Sequence, residues 1–315
     1  MTGARVLVLG AGSAGARHAR LLAAAGADVT VTDPDGQRAA ATGLATVPFD
    51  LDALGSPDGI VIASPSVVHA EQALAALATG ARVLVEKPLT AASDDVDDVV
   101  AAADGRVMVG YNLRLHEPLE RVAALVADGR AGAVSSYRLW FGSWLPDWRP
   151  AVDYRTTYSA RADLGGGVLM DAIHELDLLL WLAGDDRLTV RGAVVDRLGP
   201  LEIDVEDTVK ALLQHADGAV AELSLDYLSR RYRRGVEVVG AEATIRLDWA
   251  RQVLEVEDAD GVAAETATTP VLDSYVRQAE RFLAFVRDGT APPVDAAEGA
   301  RSVRMAAAIR RAART

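Results

Sequence analysis

Up to about residue 116 the chain alternates short apolar runs with amphipathic, alanine-rich stretches. The runs RVLVLG (Arg5 to Gly10), DVTVTD (Asp28 to Asp33), GIVIAS (Gly59 to Ser64), RVLVE (Arg82 to Glu86) and RVMVGY (Arg106 to Tyr111) predict strands. Between them AGARHARLLAAAG and SVVHAEQALAALATG predict helices, the second stopped by Gly80. Continuously apolar strands separated by helices form a parallel sheet covered on both faces. The fold class is therefore α/β, with a doubly wound domain over residues 1–116.

Beyond that point the grammar changes. EPLERVAALVADG and GGGVLMDAIHELDLLLWLAG predict helices, whereas AVSSYRLWFG, RLTVRGAVVDRL, DTVKALLQHADGAVAELSLDYL and GVEVVGAEATIRLDWARQVLEVED predict strands and turns. Asp217-Gly218 between two alternating runs marks a hairpin. Consecutive strands without crossover helices make an antiparallel sheet, so residues 117–315 form an α+β domain. Two further helices, VLDSYVRQAERFLAFVRDG and AAEGARSVRMAAAIRRAAR, close the chain, and no internal repeat or low-complexity linker separates the domains.

Composition narrows the partners. With 315 residues, 50% hydrophobic and 24% charged, the chain is globular and large enough for two domains. A formal net charge of -13 disfavours nucleic acid and anionic membrane surfaces. RRYRR, Arg230 to Arg234, is the local exception and reads as a solvated strand end. Zero cysteines exclude disulfides and thiolate chemistry. No run reaches the roughly 18 uninterrupted apolar residues of a membrane span. A cytoplasmic location is expected.

Candidate chemistry gathers at the strand ends. The first strand runs into GAGSAG, with Gly10, Gly12 and Gly15 in dinucleotide spacing and Ser13 and Ala14 opening a helix whose amino end suits a pyrophosphate. Asp33, 18 residues after Gly15, is placed to accept the adenosine ribose hydroxyls, which favours NAD. Arg38 is a candidate partner for a 2′-phosphate, so NADP stays open. The other strands end at Ser64 and Pro65, at Glu86 and Lys87, and at Asn112 and Arg114. In an open parallel sheet this carboxyl edge is the ligand crevice, with Lys87 facing the nicotinamide and His69 opening a helix near the cofactor. His18, His116 and His215 read as structural.

The glycine motif, EKP at Glu86 to Pro88, and LGGGVLMDAIHELDLLLWLAG at Leu164 to Gly184 resemble the glucose-fructose oxidoreductase, inositol dehydrogenase and MocA family over nearly the whole chain. The resemblance implies a Rossmann domain and a second domain with a large, open, predominantly antiparallel sheet. It also implies NAD(P)-dependent chemistry at carbinol carbons of sugars, cyclitols or sugar nucleotides. In the family the EKP lysine contacts cofactor and substrate hydroxyl, while the Asp and His of the glycine-rich helix sit over the reacting carbon. Carried across, these are Lys87, Asp171 and His174. Many relatives space the Asp and His four apart, whereas DAIH spaces them three apart, still on one helix face. Asp171 and Asp177 both stay open as the carboxylate that orients His174. Further phrases, YNLRLHEP among them, are similar to a branch associated with surface-sugar biosynthesis.

Before the triple glycine lies a loop holding Trp148, Arg149, Tyr154 and Arg155. Long loops without their own pattern are usually functional, and these side chains suit either a polyhydroxylated ligand or a subunit contact. The expected protein is an NAD(P)-dependent sugar oxidoreductase without a metal, self-associating through its open sheet. His174 serves as base, with an ordinary pKa near 6.5, Lys87 stabilises charge on the substrate oxygen, Asp171 holds the imidazole and Glu86 anchors Lys87. The alternatives are a non-catalytic dinucleotide or sugar sensor of the same fold, and sugar elimination or hydrolysis through a transient ketone.

Overall fold

The computed structural model describes residues 3–184 and 188–314. The chain divides into two compact units, Met1–Leu115 with Val271–Val303, and His116–Pro270 with Arg304–Thr315.

In the first unit six parallel strands run in the order β3-β2-β1-β4-β5-β6. They are β1 (Arg5–Leu9), β2 (Asp28–Thr32), β3 (Ala45–Thr46), β4 (Gly59–Ile62), β5 (Arg82–Val85) and β6 (Val107–Val109). Helices α1 (Ser13–Ala24), α2 (Gly36–Ala40), α3 (His69–Ala78) and α4 (Val96–Ala103) follow β1, β2, β4 and β5. The order reverses between β1 and β4, which is where an open α/β sheet opens its ligand crevice. β3, two exposed residues long, carries no pattern that predicts it.

In the second unit eight strands run β14-β13-β12-β11-β7-β10-β9-β8. They are β7 (Val134–Gly142), β8 (Leu188–Asp196), β9 (Thr208–His215), β10 (Val220–Asp226), β11 (Arg233–Gly240), β12 (Ala243–Asp248), β13 (Val253–Asp258) and β14 (Gly261–Thr266). Only β7 and β10 pair in parallel among these neighbours, so the sheet is predominantly antiparallel. Arg187, which opens the expected RLTVRG run, lies outside the described residues. Tyr137, Leu139 and Phe141 of β7 point to the buried face. Between them Arg138 stands on the other face, 3.2 Å from Glu222 of β10 and 3.2 Å from Glu237 of β11. Helices α5 (Glu117–Ala127), α6 (Val168–Asp171) and α7 (Ile173–Leu182) lie in this unit.

Three expectations need correction. The division at residues 116/117 is not linear, because α8 (Val271–Asp288) and the start of α9 (Ala296–Ala312) return to the first unit. Phe282, Leu283 and Phe285 of α8 join Val6, Val8, Val31, Val61, Leu84 and Met108 in one core. The loop after β7 is not patternless, since it winds into 3-10 turns at Leu145–Trp148, Tyr154–Thr156, Tyr158–Ala160 and Ala162–Leu164. The glycine-rich helix is two helices, with Ala172 at φ -94°, ψ 28° between α6 and α7. Asp171 therefore ends one and His174 lies in the first turn of the next, and a shared helix face does not join them.

Separate anchors hold the two pieces. The backbone N–H groups of Val168 and Leu169 donate to the Glu206 carbonyl (3.1 Å) and to Glu206 Oε1 (3.3 Å). Arg310 also donates to that carboxylate, at 3.1 Å. Gly167 takes φ +106°, a backbone conformation that strains any residue with a side chain, beside the Glu206 carboxylate. One residue beyond His174, buried Glu175 accepts from Arg234 Nε at 2.5 Å and ties α7 to β11.

Candidate active site

At the carboxyl edge of the first sheet Gly10 takes φ +93°, with its would-be Cβ 2.9 Å from the Ala63 carbonyl. A Cβ on Gly15 would lie 1.8 Å from the Gly10 carbonyl oxygen, so β1 and α1 approach as closely as backbones allow. Gly12 is the N-cap of α1 and no side chain caps that end, which leaves the donors of the first turn, at Ser13, Ala14 and Gly15, to a ligand. Beside them Asp33 is buried, with Oδ2 accepting from the Ala11 N–H (2.7 Å) and Oδ1 from the Asp35 N–H (2.8 Å). Arg38 lies 3.5 Å from Asp33 and 3.5 Å from Asp35. A dinucleotide fits this edge: glycine turn and helix end for its pyrophosphate, an oriented carboxylate for its ribose.

After β5, Glu86 is buried, with Oε1 2.6 Å from His18 Nε2 of α1 and Oε2 accepting from the Lys87 N–H at 3.1 Å. Burial alone would raise its pKa, but the His18 hydrogen bond and the charges of His18, Arg17 and Lys87 outweigh it and hold the carboxyl at about 2. Glu86 thus anchors the backbone of Lys87 and joins it to the glycine-turn helix. His18, read as structural, is the buried partner of this anchor. A depressed carboxyl pKa contributes stability above its ordinary value near 4.5, lost as pH falls towards about 2. Glu86→Gln is expected to cost on the order of 3 kcal/mol at pH 7, with the gap to wild type narrowing between pH 4.5 and 2. Urea titrations at several pH values check this, and a pH-independent gap contradicts it.

Other strand-end residues turn inward. His69 was expected at the cofactor, but it is buried with Nδ1 2.8 Å from the Pro88 carbonyl and Nε2 3.0 Å from the Ser64 carbonyl. Burial pushes its pKa down, while hydrogen bonding to the Pro88 and Ser64 carbonyls works against that shift. Ser64 Oγ donates to Gln72 Oε1 at 2.6 Å, beside Pro65 on the edge. Asn112 and Arg114 were expected to bind substrate. The 3-10 turn Asn112–Leu115 instead buries both, with Asn112 Nδ2 donating to Ser274 Oγ (2.7 Å) and Arg114 Nη1 to Glu298 (3.0 Å). They fasten α8 and α9 to this unit.

In the second unit His174 and Asp177 are buried on α7, and Asp171 Oδ2 accepts a 2.6 Å hydrogen bond from the Tyr227 hydroxyl. The Arg234 guanidinium that holds Glu175 lies 5.5 Å from the Phe141 ring and 5.1 Å from Trp249. Arg233 pairs with Asp226 at 2.8 Å and Arg230 stacks 3.6 Å over Trp144. Of RRYRR only Arg234 is drawn inward, while Arg230 to Arg233 stay exposed, as expected of a solvated strand end. Trp148, Arg149 and Tyr154 line one small hollow with Leu145, Thr157 and Ser159. Arg155 does not join them, because its guanidinium is held by Asp153 (2.8 Å) and Glu202 (2.7 Å). Tyr227, Glu206 and Arg234 carry no motif, and only the folded chain assembles them with Asp171, α6 and α7.

Two family models match the chain: the oxidoreductase family with an NAD-binding Rossmann fold at residues 4–111, and the GFO/IDH/MocA C-terminal domain at residues 119–246. D-xylose 1-dehydrogenase (NADP(+)) 2 of Haloferax volcanii is 32% identical, over 82% of this chain and 79% of the relative. Inositol 2-dehydrogenase 3 of Saccharopolyspora erythraea is 30% identical, over 77% and 72%. The crystal structure of GenD2 from gentamicin A biosynthesis in complex with NAD superposes with a TM-score of 0.83 at 26% identity, over 100% of this chain and 95% of that one.

Proposed function

The chain belongs to the GFO/IDH/MocA oxidoreductase family, and from that premise we propose that it passes hydride between a nicotinamide and a carbinol carbon of a sugar, cyclitol or sugar derivative. The observation that carries this reading is the shared carboxyl edge of one parallel sheet, where the Gly10–Gly15 turn, Asp33 and Lys87 follow the ends of β1, β2 and β5. Bound NAD supplies the hydride acceptor. A carbinol carbon gives up hydride readily only as its hydroxyl proton leaves and the carbonyl forms, and His174 takes that proton. Lys87 stabilises the negative charge growing on the oxygen. Asp171 holds the imidazole.

NAD is favoured over NADP because a 2′-phosphate would meet the Asp33 carboxylate. No helix among the described residues is long and apolar enough to cross a membrane. Together with the acidic charge and zero cysteines, this supports a cytoplasmic enzyme. Exposed Val194 and Leu212, on neighbouring strands β8 and β9, support self-association through the open sheet face.

A cofactor-fluorescence screen against cyclitols, hexoses, aminosugars, sugar acids and nucleotide sugars tests the reading. NADH formation or consumption with at least one class is expected. Dinucleotide binding without turnover across the panel would overturn it in favour of a sensor.

A further inference from the structure

Tyr227 follows β10 and is fully buried. Four contacts fix it. Its N–H donates to the Asp207 carbonyl at 2.8 Å, and its own carbonyl accepts from the Leu145 N–H at 3.1 Å. The Trp148 ring stands edge-on to it, 5.3 Å between centroids at 87°, and Trp148 Nε1 is itself held by Ser143 Oγ at 2.9 Å. The hydroxyl lies 2.6 Å from Asp171 Oδ2 but 3.4 Å from the Ser159 carbonyl. A phenol has one hydrogen to donate, and the short contact to an anionic acceptor takes it.

We propose that Tyr227 is a positioning residue, whose hydroxyl holds the Asp171 carboxylate oriented so that it can support His174 during proton transfer. This rests on the reading of His174 as the base and Asp171 as its partner. Asp171 needs such a device because it closes α6 while His174 lies in the first turn of α7, so one rigid helix does not set their mutual orientation. Burial, and then the charge of Asp171, pushes the phenol pKa well above its ordinary value, so the hydroxyl stays a donor at any working pH.

The test is Tyr227→Phe, which keeps the ring against Trp148 and removes only the oxygen. Outer hydrogen-bond partners of this kind typically carry about 10- to 100-fold in activity. With NAD and the most active sugar of the screen, kcat is expected to fall by roughly that factor, while KM and NADH affinity stay near wild type. Asp171→Asn should be slow on its own, and adding Tyr227→Phe to it should cost almost nothing further, because both changes remove one device. Urea unfolding checks that each variant is folded. Wild-type kcat in Tyr227→Phe, or a full additional loss in the double variant, would overturn the proposal and leave the site reading standing. Full activity in both Asp171→Asn and His174→Ala would instead show that the site reading had failed.

Discussion

His174→Ala and Lys87→Ala are each expected to turn over sugar about 10²- to 10⁴-fold more slowly than wild type, while NADH binds as before. The size follows from the role. A positioned acid or base removes roughly 3 to 5 kcal/mol from the barrier, and water replaces it poorly. Lys87 stands two residues past the end of β5, and its N–H is held by Glu86, so truncating its side chain leaves the backbone anchor in place. His174 lies on a helix fixed by its neighbour Glu175, so its removal spares that anchor too. Steady-state kinetics and NADH fluorescence titration read the two effects separately. Full activity in both variants would reject the assignment.

Glu175→Ala is expected to produce the largest loss of stability, about 3 to 5 kcal/mol, because it strands the Arg234 guanidinium inside the second unit. The pair is 2.5 Å apart with side-chain exposures of 14% and 1%, so the freed charge finds little water. Surface pairs such as Arg155 with Glu202 differ, since exposed ion pairs are worth about 0 to 1 kcal/mol. Replacing both partners, as Glu175→Leu with Arg234→Met, should recover much of the loss by removing the stranded charge. Urea unfolding measures it. A loss in Glu175→Ala below about 1 kcal/mol would mean that solvent reaches Arg234 after all.

Reading the chain went furthest where burial on two faces leaves a continuous mark. β1, β2, β4, β5 and β6 were visible because nearly every residue in them is buried, and the polar residues that stop them fall on one edge. β14 was not visible, since all its residues are exposed and no buried face imposes an alternating pattern on them. An amphipathic pattern reveals that α8 has a buried face but not which sheet receives it. The same limit hid the partners of Glu86, Asn112 and Arg114. Each polar residue at the edge was visible as a candidate, yet whether it faces a ligand or another helix depends on pairings distant in the chain, such as Asn112 with Ser274. Asp171 was legible through its motif, whereas Tyr227, 56 residues away, was not. The break at Ala172 lies in a stretch whose composition suits one helix, and Glu206, Tyr227 and Arg234 hold its two pieces from outside it.

Deuterium transfer tests the central claim most directly. Enzyme, the oxidised form of its sugar and NADH carrying deuterium at nicotinamide C4 are allowed to react, and the product is analysed by mass spectrometry and NMR. One deuterium is expected on the new carbinol carbon, delivered from one face of the nicotinamide only. Product without deuterium from both the 4R- and the 4S-labelled cofactor would contradict direct hydride transfer.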